Sequence, residues 1–144
     1  MQITRQADYA VRAVLYLAEH ERTARVTTAE IGREQQIPLT FLAKIVAQLS
    51  TAGIIRSTRG SHGGVCLAMP PEEISLLDIV EVIDGPIELN ECVADRSLCA
   101  LGDSCPVRSI WCNAQAELVD RLMRTNFGVL AALHHKADLV LEPA

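Results

Sequence analysis

Residues 39–68 read LTFLAKIVAQLSTAGIIRSTRGSHGGVCLA, and a change of period inside this stretch decides the fold. As far as Gly53, the apolar residues Leu42, Ile45, Val46 and Leu49 follow the spacing of one buried helix face. That spacing turns Thr40, Ala43, Lys44, Ala47 and Gln48 outward. Ala52-Gly53 closes the helix. Beyond it, Ile54–Thr58 and Val65–Ala68 are short strand-like runs flanking Arg59-Gly60-Ser61-His62-Gly63-Gly64, a glycine-rich hairpin.

Working upstream, Thr27 followed by Glu30 reads as a capping box for a short helix that stops at Ile37-Pro38. Before it, Thr4 can cap a helix to about His20, with Ala7, Ala10, Val11, Val14, Leu15, Leu17 and Ala18 on its apolar side. Working downstream, Pro70-Pro71 ends the hairpin, since proline cannot donate to a sheet ladder. Ser75 and Asp78 open another helix, which Gly85-Pro86 terminates. From Glu88 to about Cys105 there is little periodicity, so a functional loop is expected. Pro106 suits the first turn of a long final helix, with Ser104 as its cap and Gly128 as a place where it kinks or restarts.

Aromatic residues make up only 3% of the chain against 49% apolar residues overall, so the core must be built from aliphatic side chains and alanine, which favours helices. The expected fold is mainly α: a winged helix-turn-helix with a two-stranded β wing and a long C-terminal dimerisation helix. Three parts follow: a DNA-binding unit at residues 1–85, a cysteine-containing loop at 86–105, and the dimerisation helix with its tail at 106–144. No apolar run approaches the roughly 18 residues needed to span a membrane, so no membrane partner and a cytoplasmic location are expected.

The formal charge of −5 argues against a nucleic-acid partner only if the chain is treated as uniform. Residues 1–66 carry Arg5, Arg12, Arg22, Arg25, Arg33, Lys44, Arg56 and Arg59 against Asp8, Glu19, Glu21, Glu30 and Glu34, a net of +3, and the rest carries −8. One face can therefore approach phosphate. In a winged helix the third helix enters the major groove, which places Thr40 and Lys44 at base edges or phosphates of double-stranded operator DNA. Arg59 at the wing tip reaches the backbone or minor groove, and His62 stands beside it. The bland alternative makes Arg59 a solvated loop charge.

The five cysteines stand at 66, 92, 99, 105 and 112; an odd number prevents complete pairing within one chain, so reduced thiols are expected. Cys92, Cys99 and Cys105 fall in the aperiodic segment, where a loop can wrap three soft thiolates around an iron–sulfur cluster or zinc. The close Cys-x-x-Cys pairs common in structural zinc sites are absent. Their absence, with that of a nucleotide-binding glycine pattern, also argues against a thiol-redox enzyme or any other catalyst.

The residues Met1-Gln2-Ile3-Thr4 to Asp8-Tyr9-Ala10-Val11, the wing Arg59–Gly64, the helix Ile74–Val80 with Gly85, and the late cysteines occur in order along nearly the whole chain. Together they resemble the Rrf2 family of winged-helix regulators, which includes the iron–sulfur regulators IscR and NsrR and the iron-responsive RirA. The resemblance implies a transcriptional repressor with an iron–sulfur cluster on Cys92, Cys99 and Cys105, responding to nitric oxide, redox state or iron. IscR-like members carry a histidine three residues after the last cysteine; here that position is Arg108, which cannot ligate. NsrR-like members have an acidic residue near the start of the first helix, contributed by the partner subunit, and Asp8 stands there. Asp8 as ligand implies a 4Fe-4S cluster, with 2Fe-2S as the alternative. Cys112 is the rival fourth ligand, and an ion pair with Arg12 is the competing role for Asp8. Cys66 is expected to be structural or incidental, and His20, His134 and His135 to be surface or packing residues.

The final helix has more apolar surface than one small winged domain can cover, and operators are commonly two-fold symmetric. A homodimer through Trp111, Leu118 and Leu122 is therefore expected; the competing reading folds this stripe back on its own domain. The functional alternative to cluster sensing is a clusterless regulator signalled by a partner protein or metabolite.

Overall fold

Thr4 opens the first helix, its hydroxyl accepting from the Ala7 amide at 3.1 Å. This helix, α1 (Arg5–Ala18), buries Ala7, Ala10, Ala13, Val14 and Leu17. Three alanines on one face let neighbouring helices come close, so α1 becomes the central element of a computed structural model that describes residues 2–141. Met1 and the end of the expected tail, residues 142–144, lie outside the described residues.

α2 (Thr28–Gln35) is capped by Thr27, and the Glu30 carboxylate expected to close its capping box takes a hydrogen bond from the Tyr16 hydroxyl at 2.8 Å. Partial burial, and then this Glu30 contact, push the Tyr16 phenol up to about 12. Gln36, at φ 53°, is the one non-glycine residue with positive φ among the described residues; it ends α2 and turns the chain into Ile37-Pro38. Gly32 permits that turn, because a Cβ there would lie 3.1 Å from the Ile37 carbonyl oxygen. Pro38 then caps α3 (Leu39–Thr51), which buries Leu42, Ile45 and Leu49 as expected.

The wing strands β1 (Ile55–Thr58) and β2 (Gly64–Leu67) are antiparallel, with Ile55 opposite Leu67, Arg56 opposite Cys66 and Ser57 opposite Val65. Ile55, Val65 and Leu67 are buried. Val26 bridges to Val65 and extends the ladder from the α1–α2 connection, a pairing that local periodicity does not announce. Ser75 and Asp78 form a complete capping box on α4 (Leu76–Asp84), which ends at Gly85.

The expected irregular loop contains a short helix, α5 (Glu91–Ala94), and single 3-10 turns at Arg96–Leu98 and Gly102–Ser104. α6 (Pro106–Arg124) begins with proline at its first position as expected, but its cap position is Cys105, not Ser104. The Ser104 hydroxyl is committed to the Leu101 carbonyl at 2.7 Å.

The long final helix is two helices. α6 ends at Arg124, and α7 (Phe127–Leu141) starts after Thr125-Asn126 and packs back on α1. The break is joined to the start of α4 by two backbone bonds, Leu76 N to Thr125 O at 2.8 Å and Phe127 N to Ile74 O at 3.0 Å. Phe127 is completely buried in the main core with Leu42, Ile45, Leu49, Ile74 and Ile79. The expected boundary after residue 85 therefore does not isolate a self-sufficient core, since a side chain from the last helix completes it. Among the described residues, no helix is long and apolar enough to cross a membrane.

Candidate nucleic-acid interface and cysteine loop

α3 presents Thr40 and Lys44, both exposed and one turn apart, on the face opposite its buried Leu42–Ile45–Leu49 stripe. Ala43 and Ala47 on the exposed side are small, so a flat groove wall can approach the backbone. Leu39 and Phe41, at the same end of α3, are 58% and 41% exposed, apolar surface that the periodicity did not single out. Phe41 meets the Tyr9 ring edge-on at 5.6 Å, tying α3 to α1.

Arg59 and His62 are exposed in the wing. Gly63 makes the tight return possible, because a Cβ there would fall 2.2 Å from the Thr58 carbonyl oxygen. Arg25, exposed in the α1–α2 connection, donates to the His62 carbonyl at 3.4 Å and so adds a cation beside the wing tip. The sequence reading missed Arg25 because its place depends on the Val26–Val65 bridge; the only local signal was its adjacency to Val26.

Asp8 pairs with Arg12 at 3.1 Å, the competing role considered for it, and its side chain is 59% exposed. A pair this exposed contributes about 0.2–1 kcal/mol. Arg12 has further partners: it donates to the Gln35 carbonyl at 3.0 Å and lies 4.8 Å over the Tyr9 ring. One guanidinium thus joins Asp8 to the turn that introduces α3. Asp8 also lines an apolar depression of about 190 Å³ with Ile3, Val11, Leu76, Val80, Leu118 and Leu122.

Cys92 lies within α5, Cys99 caps the Arg96–Leu98 turn and Cys105 caps α6; all three are free and half-buried. As donors, three accessible thiols on consecutive short turns suit an iron–sulfur group. Among the described residues they are not gathered into a preformed set of three or more ligands. Cys112, half-buried two turns beyond Cys105, joins no such set, and Cys66 lies opposite Arg56 in the wing. Arg108 donates through Nε to the Cys92 carbonyl at 2.9 Å. The Asp95 carboxyl is held low by hydrogen bonds from the Ser97 amide and hydroxyl.

The expected dimer residues divide. Trp111 is 41% exposed on α6 with Val107 and Ile110, whereas Leu118 and Leu122 pack against Leu77, Val80 and Ile87 of their own chain. They do so because α6 runs along α4 and must cover its outer apolar side. Two of the histidines are packing residues in part: His20, just after α1, lies on Tyr16, and His134 of α7 pairs with Glu19, which raises the imidazole pKa.

The profile of the Rrf2 family, described as iron-dependent transcriptional regulators, matches residues 3–133. Protein aau3 of Rhizobium meliloti is 38% identical over 107 residues, covering 73% of this chain and 68% of that protein. The HTH-type transcriptional regulator IscR of Vibrio cholerae is 29% identical over 130 residues, 90% of this chain and 75% of its own length. In fold, the chain is similar to CymR, the global cysteine regulator of B. subtilis, with a TM-score of 0.77 at 24% identity over 92% of this chain and 98% of that one.

Proposed function

The chain belongs to the Rrf2 family of transcriptional regulators, and from that premise we propose that it is an iron–sulfur-sensing repressor that binds operator DNA as a homodimer. The family is one of DNA-binding winged-helix regulators and not of enzymes. In this reading α3 lies in the major groove with Thr40 and Lys44 toward the bases and phosphates, and the wing carries Arg59 and His62 along the backbone. Trp111, with the rest of the exposed α6 stripe, meets a second copy, and two recognition helices then address a two-fold operator.

Cys92, Cys99 and Cys105 of one protomer, with Asp8 of the other, would hold the cluster, and the resemblance to NsrR-like members favours 4Fe-4S over 2Fe-2S. Bound there, the cluster supplies a centre open to attack by nitric oxide or oxygen and to loss of iron. The observation that carries the sensing half is the position of Arg12, between Asp8 on one side and the Gln35 carbonyl before α3 on the other. When Asp8 is drawn to the cysteine loop, Arg12 keeps only the Gln35 carbonyl and the Tyr9 ring, and the turn that aims α3 gains a freed positive charge. Ligand exchange at Asp8 is thereby coupled to the recognition helix and to the spacing of the two helices on DNA.

The test is anaerobic purification with iron and sulfide counts, followed by operator binding before and after complete cluster removal, for the parent and for Asp8→Ala. Cluster-dependent binding that Asp8→Ala alters is the expected result. Operator binding unchanged by cluster removal overturns the mechanism. A regulator without a cluster, signalled by a partner protein or metabolite, is the second reading, and a colourless protein free of iron that still binds the operator would establish it.

A further inference from the structure

We propose that Arg108 and Gln115 form a latch on α6 that holds Cys92 in a set position relative to Cys105, which makes Arg108 a positioning residue of the cysteine loop. The proposal rests on the reading of that loop as the cluster site. Arg108 stands where the resembling IscR-like pattern has a ligand, and its own contacts give it a different task.

The two side chains are seven residues apart on α6, two turns, and so share one face of the helix. Arg108 Nε donates to the Cys92 carbonyl at 2.9 Å, and Gln115 Oε1 accepts from the Leu89 amide at 2.9 Å. The segment 89–92 therefore runs antiparallel to α6, its start held at the later residue and its end at the earlier one. Asn90, between the two anchors, is extended at φ −155° and ψ 152°.

Because Cys105 is itself the cap of α6, the first and third cysteines are both referenced to one helix. Cys99 is built differently. Its turn is held by the Asp95 carboxylate accepting from the Ser97 amide and hydroxyl at 2.9 and 2.8 Å, and by the Gly102 amide donating to the Cys99 carbonyl at 3.1 Å. The backbone at two of the three cysteines is thus referenced to one helix. Histidine at 108 could ligate but would give up the guanidinium bond that holds Cys92.

The experiment uses the full chain purified anaerobically, as parent, Arg108→Ala, Arg108→Lys and Gln115→Ala, with circular dichroism to check the fold. On cluster-free protein, amide exchange of the 89–93 segment and the iodoacetamide labelling rate of Cys92 relative to Cys66 report the latch without any metal. Hydrogen bonds to a charged donor are strong enough that losing one exposes the held segment by about tenfold or more. Arg108→Ala is expected to speed exchange and Cys92 labelling on that scale, with Gln115→Ala acting in the same direction and Arg108→Lys partly restored. In cluster-loaded protein the same order is expected for the rate at which visible absorbance is lost to a chelator. Unchanged exchange and labelling in Arg108→Ala overturns the latch. Parent protein without iron or sulfide, but with the expected exchange and labelling changes, overturns the cluster reading and leaves the latch standing.

Discussion

Replacing Lys44 and Arg59 together by alanine removes one cation from the recognition helix and one from the wing. Both side chains are exposed, and among the described residues neither has a carboxylate partner, so folding should be nearly unaffected. DNA binding should suffer far more. Each neutralised phosphate contributes about 0.9 to the slope of log affinity against log salt. Two cations on each of two protomers make up to four contacts, so the slope should fall by between three and four (roughly). Between about 50 and 200 mM salt, a fourfold range, about two decades of salt sensitivity would disappear. The assay is fluorescence anisotropy of a labelled duplex titrated with parent and double variant across that range, with circular dichroism to confirm the fold. A slope change of about half this size would indicate one protomer per site. Unchanged affinity and slope in a folded double variant would refute the docking of α3 and the wing.

Three further outcomes follow from the packing. Phe127→Ala should cost about 3–5 kcal/mol, because the ring is fully buried in the main core; urea denaturation measures it, and a loss below about 1 kcal/mol would mean that α7 is not part of that core. Gly63→Ala should lower DNA affinity while leaving thermal unfolding of the helical core nearly unchanged, since its new Cβ meets the Thr58 carbonyl; normal binding would show that the wing bends freely. The third concerns pH. The Glu19 contact raises the His134 pKa above 6.5 in the folded state, so its stabilisation is fully present below 6.5 and is lost as pH rises through the folded value. His134→Ala should therefore lower the melting temperature slightly in acidic buffer and not in mildly alkaline buffer. An equal loss at both would assign His134 to packing alone.

Much of the fold could be read locally because its elements are bounded by short-range chemistry. Thr4, Thr27 and Ser75 cap the helices they were expected to cap, and the glycine-turned wing forms between the expected strands, since a cap or a turn needs only residues a few positions apart. The Rrf2 resemblance rested on the same local features in order. Three details were left open by local pattern and decided by packing or by a competing partner. The final helix restarts at Phe127, beside the Gly128 expected to interrupt it, and the Phe127 ring enters a core made by residues more than thirty positions earlier. Leu118 and Leu122 pack in part on their own α4, as the competing reading of this stripe had it, beside Leu77 and Val80. Ser104 lost the cap of α6 to Cys105 because a nearby carbonyl claimed its hydroxyl.

The candidate site divides along the same line. Sequence alone could nominate Lys44, Arg59 and the three loop cysteines, because charge and thiol chemistry belong to the residues themselves, whereas Asp8 entered only through the family resemblance. It could also remove Arg108 from the ligands on chemical grounds. Only tertiary structure could link Asp8 through Arg12 to the Gln35 carbonyl, bring Arg25 to the wing through the Val26 bridge, and set Arg108 on Cys92. Apart from the Asp8–Arg12 pair, which lies within α1, each of those contacts joins a side chain to a backbone group that local sequence leaves undetermined until helices and strands have packed. A residue's chemistry is carried by its own atoms, whereas its partner is selected by the core that brings two distant segments together.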